Sequence, residues 1–354
     1  LWIGSSLFNY FTHNAIPEIM LTGIEREGFY SGIVDCSIKS NNSYKIAQVS
    51  AFLDGKEIDL NCPKKIGAKD ISKDKWEFFV DNVSLKAAFL QQEFRVDQGR
   101  TIHARIQANK KLTNAYIRFL EGIYQCYPES ESSTVYECFI PVDCEQNADE
   151  YMIHAELQDN VKNNLKLSGK VVINAVAFPK QKGFKVAPGK LDEEKEISMS
   201  NKILEEAIEK WLKDSPKKKL WSGKFELPIN VQRVATPYGE IRTTTEKGRY
   251  LHKAVDILNY PKSVVWASQA GKVIIKDRFL LTGNTVAIDH GIGVVTLYCH
   301  LEDFADVEVG DIVKKGNPIG RLGMTGYANG YHLHWELRVN NVAVDPMEWT
   351  SKVF

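Results

Sequence analysis

One short run constrains this chain more than any other. His332-Leu333-His334-Trp335-Glu336-Leu337-Arg338-Val339 alternates polar and apolar side chains without a break. Strands have that period: His332, His334 and Glu336 share one face, while Leu333, Trp335, Leu337 and Val339 face a core. Such a strand needs paired neighbours and an apolar layer, so it belongs to a sheet. The residues around it agree. From Phe225 onward, short β-branched runs are punctuated by Gly271, Gly283, Gly291, Gly293, Gly310, Gly316, Gly320, Gly323, Gly326 and Gly330. That spacing predicts a compact antiparallel sheet with many tight turns.

Two imidazoles side by side on a polar face are costly to leave idle, which points to a metal or a shared catalytic task. Five of the eight histidines, His252, His290, His300, His332 and His334, fall between positions 252 and 334, where length alone would place about two. His252 and Asp256 are four apart, and Val255 and Ile257 favour a strand, so both can point to one side. Adding one histidine of the 332/334 pair gives a His₂Asp set. Three protein ligands with a fourth position open is the pattern of a catalytic zinc site, whereas structural zinc is closed by four. In Val294-Val295-Thr296-Leu297-Tyr298-Cys299-His300-Leu301, strict alternation groups His300 with Tyr298, Thr296 and Val294, and from there His300 is expected to join the polar face beside the metal. Alternation puts Cys299, expected to be a buried thiol, with Leu297, Val295 and Leu301. No His-Glu-x-x-His helix supplies a glutamate base. His300 and His332 are then left as proton shuttle and stabiliser of a developing oxyanion. The parity of His290 with Val286 and Ile288 gives it a structural place at the end of a strand.

Taken in order, these residues carry a family resemblance. His252-x-x-x-Asp256, Gly283-Asn284-Thr285-Val286-Ala287-Ile288-Asp289-His290-Gly291, Tyr298-Cys299-His300-Leu301, Gly323-Met324-Thr325-Gly326 and His332-Leu333-His334 together resemble the lysostaphin-type zinc metalloendopeptidases. The match runs from about Thr236-Pro237-Tyr238-Gly239 to Asp345-Pro346. The resemblance implies an antiparallel β domain of the duplicated hybrid-motif type, with one Zn²⁺ per chain held by His252, Asp256 and His334. It also implies catalytic roles for His300 and His332, and as substrate the peptide bonds of bacterial peptidoglycan cross-links or bridges. Ala254 stands where the family usually has glycine and Tyr331 where it often has proline; neither change removes a ligand. Two other readings compete with this one. The first is a zinc-containing module that binds cell wall or activates an enzyme without cutting. The second is a biotinyl- or lipoyl-type carrier, which lacks its Met-Lys-Met hairpin here.

The rest of the chain is read as mainly β. Tyr44 to Leu53 followed by Asp54-Gly55 and Ile58 signals a hairpin, and Ile102, Ala104, Ile106 and Ala108 alternate with polar residues as in a half-buried strand. These patterns predict two Ig-like β-sandwich modules, 1–92 and 93–180, then a linker with an amphipathic helix at 181–224 and the peptidase domain at 225–354. Ser200 is the expected N-cap of that helix, Ile203, Leu204, Ala207, Ile208, Trp211 and Leu212 its apolar stripe, and Lys217-Lys218-Lys219 a solvated charge run. Forty-five basic residues balance forty-five acidic ones, so no global field favours nucleic acid as a partner. No stretch is long and apolar enough to cross a bilayer as a helix. The opening Leu1-Trp2-Ile3-Gly4-Ser5-Ser6-Leu7-Phe8 reads either as the tail of a removed signal or membrane anchor or as a first strand or helix. With the implied substrate, the expected location is the periplasm or cell surface. Six cysteines without a Cys-x-x-Cys pair argue against a zinc ribbon and leave disulfides and buried thiols both open.

Overall fold

The structure is a computed structural model. It describes residues 84–181, 191–244 and 248–354, and before them only separate strand segments. The chain divides into two compact units. One holds Leu1–Lys86 with Lys110–Thr113 and Gln158–Asn164, and the other holds the remainder. In the first unit, Lys56–Ile58, Val49–Leu53, Trp2–Ser5 and Lys75–Trp76 form an antiparallel sheet in that order. Leu53 pairs with Lys56 there, as the Asp54-Gly55 signal requires. Residues 44–48 lie outside the described residues.

The stretch after residue 86 builds two sheets. One runs Glu93–Asp97, Asn164–Asn174, Glu150–Asp159, Leu112–Phe119, Gly122–Gln125, and the other Tyr127–Pro128, Val135–Pro141, Thr101–Ala108, Ala87–Phe89. Along Thr101–Ala108 the side chains of Ile102, Ala104, Ile106 and Ala108 are all buried, so the period-two pattern reads true. Glu93–Asp97 joins its sheet in parallel, opposite Lys170–Asn174.

The helix Leu191–Leu212 begins earlier than its sequence suggests, and Ser200 lies inside it. Its sequence is rich in Glu and Lys, which sustain a helix well. Leu204 and Ile208 are buried against Ile274, Ile275, Ala287, Val295, Leu297 and Cys299 of the last sheet, while Ile203 of the expected stripe faces solvent.

That last sheet has the order Arg233–Thr236, Val255–Leu258, Leu333–Val339, Val294–Phe304, Gly283–Asp289, Gly271–Phe279, Ile312–Val313. Every pairing along it is antiparallel. One face carries the helix. The other buries Val286, Ile288, Tyr298, Leu301, Leu333 and Trp335 in the main core. An aromatic seam joins this region to the preceding sheets, where Phe139 packs on Trp221 and Trp349. Lys219 is no solvated run: its ammonium lies 2.8 Å from the buried Glu137 carboxylate. Burial alone would raise the Glu137 carboxyl, but the bonds from His103 and Lys219 outweigh it and hold it below the usual carboxylate range.

Candidate metal centre

Strands Val255–Leu258 and Leu333–Val339 lie side by side, and their register sets Asp256 directly opposite His334. Side chains on cross-strand partners project from the same face, so carboxylate and imidazole meet by construction. His252 enters from the connection before Asp256, its backbone fixed by bonds to Glu240 and Gly239 at 2.9 and 2.7 Å. Its Nε2 lies 3.2 Å from Asp256 Oδ1 and 3.2 Å from His334 Nδ1, and His334 Nδ1 lies 3.0 Å from the same Oδ1. The three atoms make a nearly equilateral triangle. A tetrahedral zinc with bonds of about 2.0–2.2 Å has ligand–ligand edges of about 3.3–3.5 Å. The donor set N, O, N and its spacing therefore fit that ion. His252 and Asp256 are buried and His334 is partly so, and His252 Nδ1 has no partner among the described residues.

Two further rings border this triangle. The His300 and His332 centroids are 4.7 Å apart, His300 lies 5.8 Å from His334, and His332 Nε2 is 3.9 Å from Asp256 Oδ1. Each ring has one nitrogen committed. His300 Nδ1 donates to the Thr325 carbonyl at 2.8 Å and His332 Nδ1 to the Gly330 carbonyl at 2.8 Å. A carbonyl only accepts, so Nδ1 carries the hydrogen and Nε2 of the neutral ring is a bare acceptor. Burial, reinforced by the neighbouring His334 and His332, pushes the His300 ring down to about 3, which keeps it neutral. Burial would raise the Asp256 carboxyl, but hydrogen bonds from His252 and His334 hold it far below the usual range.

All five residues singled out in the sequence thus converge, though His300 arrives by a route that alternation misses. Val295, Leu297 and Cys299 pack under the helix, on the face that His334 and Asp256 share. Strict alternation would turn His300 away from that face, with Tyr298. Instead the register slips between Asn284 and Val286, and His300 takes a left-handed φ of 60°. A bulge of this kind adds one residue and reverses the phase. Leu301 consequently joins the opposite core beside Tyr298, and His300 turns to the histidines. The His300 amide donates to Thr282 O at 2.7 Å, which secures the strained backbone.

Sequence reasoning missed the parts that hold this geometry. Thr325 accepts from His300 through its carbonyl, while its hydroxyl donates to Leu301 O at 2.7 Å and accepts from the Asn284 amide at 2.9 Å. Gly283 is obligatory beside it: its φ is +64°, and a Cβ there would sit 2.5 Å from the Thr325 backbone. Arg242 reaches Asp256 Oδ2 at 3.4 Å and Thr236 Oγ1 at 2.9 Å. Glu336 shares the histidine face, as alternation says, but its carboxylate accepts from Arg338 at 2.6 Å instead of entering the cluster. Cys299 is a buried thiol, pushed well up by burial. His290 is a core residue, with Nδ1 2.7 Å from Ala270 O and Nε2 2.8 Å from Thr296 Oγ1.

The site and the sheet define a class. Residues 250–346 match Peptidase family M23, and the C-terminal region is an M23, lysostaphin-like, peptidase domain, as the sequence resemblance implied. Over 120 residues it is 36% identical to the DD-carboxypeptidase/endopeptidase Mpg of Neisseria meningitidis, covering 34% of this chain and 27% of that protein. It is 32% identical over 120 residues to the peptidoglycan DD-endopeptidase ShyC of Vibrio cholerae, covering 34% and 28%. The chain thus matches little more than a quarter of the length of these relatives. A crystal structure from Pseudomonas aeruginosa, assigned to peptidase M23, shares the fold with a TM-score of 0.50 and 19% identity, covering 72% of this chain and 93% of that one.

Proposed function

We propose that this protein is a zinc-dependent endopeptidase of bacterial peptidoglycan, with the metal held by His252 Nε2, Asp256 Oδ1 and His334 Nδ1. The observation that carries the reading is the near-equilateral triangle of donor atoms beside the His300 and His332 rings, each with Nδ1 donating to a carbonyl. Bound zinc would supply Lewis-acid polarisation of the scissile carbonyl and bring the pKa of a coordinated water toward about 7. His300 and His332 share the proton work. A bare Nε2 takes a proton from the attacking water and returns it to the departing amine nitrogen. The ring once protonated donates to the oxygen on which charge collects. Thr325 and Gly330 keep both rings in the required tautomer. Arg242, on the second oxygen of Asp256, leaves Oδ1 aimed at the two ligand histidines.

A wall substrate places the protein in the periplasm or at the cell surface. Among the described residues, no helix is long and apolar enough to cross a membrane. We infer that residues 1–92 and 93–180 serve as modules ahead of the 181–224 linker and a 225–354 peptidase region. The relatives named as DD-endopeptidases support the D,D cross-link as the first bond to assay. Purified sacculi are incubated with the zinc-loaded protein and the soluble muropeptides read by mass spectrometry. Cross-linked dimers should give way to monomers. Zinc bound at one per chain with no new amine ends would instead identify a binding module.

A further inference from the structure

Two buried thiols far in sequence from the metal centre face each other across a pair of strands. Tyr127–Pro128 runs antiparallel to Val135–Pro141, with Tyr127 opposite Glu137 and Pro128 opposite Tyr136. One residue further, the same register sets Cys126 opposite Cys138. The Glu129 amide donates to Val135 O at 3.0 Å, so 129 and 135 form a hydrogen-bonded pair. Such pairs alternate with non-bonded ones, which makes 127/137 bonded and 126/138 non-bonded. The outward bonds agree. The Cys126 amide donates to Ala115 O at 2.8 Å, and Cys138 pairs on its far side with Ala104.

In a non-bonded pair the Cα atoms approach to about 4.5 Å and the side chains project from one face. That distance lies within the roughly 4.4–6.8 Å a disulfide spans. Both thiols are buried. The Cys138 thiol donates to Tyr124 O at 3.6 Å, toward the segment that leads into Cys126. Burial, and after it the adjoining Cys126 thiol, pushes Cys138 well above its ordinary range.

We propose that Cys126 and Cys138 form a disulfide site, closed by exchange with a small or protein disulfide while these sheets assemble. The thiolate of one cysteine attacks a sulfur of the oxidant RSSR, forming a mixed disulfide and releasing one RS⁻. The second thiolate attacks the protein sulfur of that mixed disulfide and expels the other RS⁻. The protein loses two S–H bonds and gains one S–S bond, and its two protons and two electrons end on two RSH. Closure precedes final packing, because a buried thiol with a raised pKa offers little thiolate.

The position gives the bridge a purpose. Cys126 lies where the chain crosses from Gly122–Gln125 in one sheet to Tyr127–Pro128 in the other. Cys138 is flanked by Glu137, which pairs with Lys219 at 2.8 Å, and Phe139, whose carbonyl accepts from Asn340 at 2.9 Å. A bond here pins the crossing to the strand that builds the aromatic seam.

The test does not depend on the metal. The full chain is unfolded, reduced, and refolded in a mixture of oxidised and reduced glutathione, free thiols are blocked, and the peptides are mapped by mass spectrometry. The expected product is one linked species containing Cys126 and Cys138, lighter by two hydrogens, with Cys144 and Cys299 alkylated. Reduction should lower the melting temperature by about 5 °C. Full alkylation of both cysteines, or either one joined to a different cysteine, overturns the proposal. A Cys126→Ala/Cys138→Val variant should melt near the reduced wild type with no redox response from this region. Should it fail to fold, the peptide map of the wild type still decides.

Discussion

Acid should weaken this protein through one histidine that takes no part in the site. His290 is fully buried, with Nδ1 donating to Ala270 O. Since that carbonyl cannot donate back, Nε2 of the neutral ring accepts from the Thr296 hydroxyl at 2.8 Å. Thr296 in turn lies 2.9 Å from the Tyr298 hydroxyl, which accepts from the Ser268 amide at 2.8 Å. A second ring proton would face a hydroxyl already engaged, with no carboxylate to offset the buried charge. Burial accordingly pushes the ring from 6.5 down to about 4. The unfolded chain therefore binds more protons between these values, so stability is intact above pH 6.5 and declines as pH falls. The two-pKa linkage gives a loss of about 2 kcal/mol at pH 5 and about 3 kcal/mol at pH 4. A His290→Gln variant keeps a donor and an acceptor but no titrating proton. Urea unfolding of both proteins from pH 7 to 4 isolates the effect, because protonation of the metal ligands is common to both and cancels. The wild type should lose those amounts relative to the variant. Parallel curves would mean that His290 is not held neutral in the fold, and the reasoning would fail.

Other expectations follow from the same geometry. His334→Ala should lose zinc and activity together, and chelation of the wild type should both stop cleavage and lower its melting temperature, since a ligand bound only to the folded state stabilises it. His300→Ala and His332→Ala should retain most of the zinc by metal analysis while cleavage of sacculi falls by about 10²–10⁴-fold; loss of metal as complete as in His252→Ala would refute their roles. Arg242→Ala should weaken zinc retention by about 10–100-fold in chelator competition, with Arg242→Lys in between; an unchanged affinity would remove Arg242 from the support of Asp256. Phe139→Ala empties the centre of the aromatic seam and should cost about 3–5 kcal/mol in denaturant unfolding, with less than about 1 kcal/mol showing that the seam closes over the gap.

What the sequence made legible was whatever a short period could carry. Alternation along 332–339 assigned faces correctly to His334, Trp335 and Leu337, and the four-residue spacing of His252 and Asp256 put both at one point. Contacts between distant segments were invisible to it. Phe139, Trp221 and Trp349 meet only because three separate segments pack together, and Lys219 finds Glu137 the same way. The helix start was hidden by composition, since a charged first turn looks like an exposed connection until an apolar stripe further along docks it.

His300 is where local reasoning failed in an informative way. A period-two rule holds only while every residue keeps extended geometry, and the rule turns His300 from the site. The structure abandons that geometry at one residue, with a left-handed φ of 60° that an unbranched, non-glycine side chain tolerates only under restraint. The restraints lie in other segments: Thr282 O on the amide and Thr325 O on the ring. Thr325 can approach so closely because Gly283 has no Cβ to block it. The glycines that read in the sequence as simple turn markers are thus part of what aims a functional histidine. Filling that space with Gly283→Ala should therefore displace Thr325, free the His300 ring, and lower cleavage while leaving the three ligand atoms in place, so zinc content should hold as activity falls.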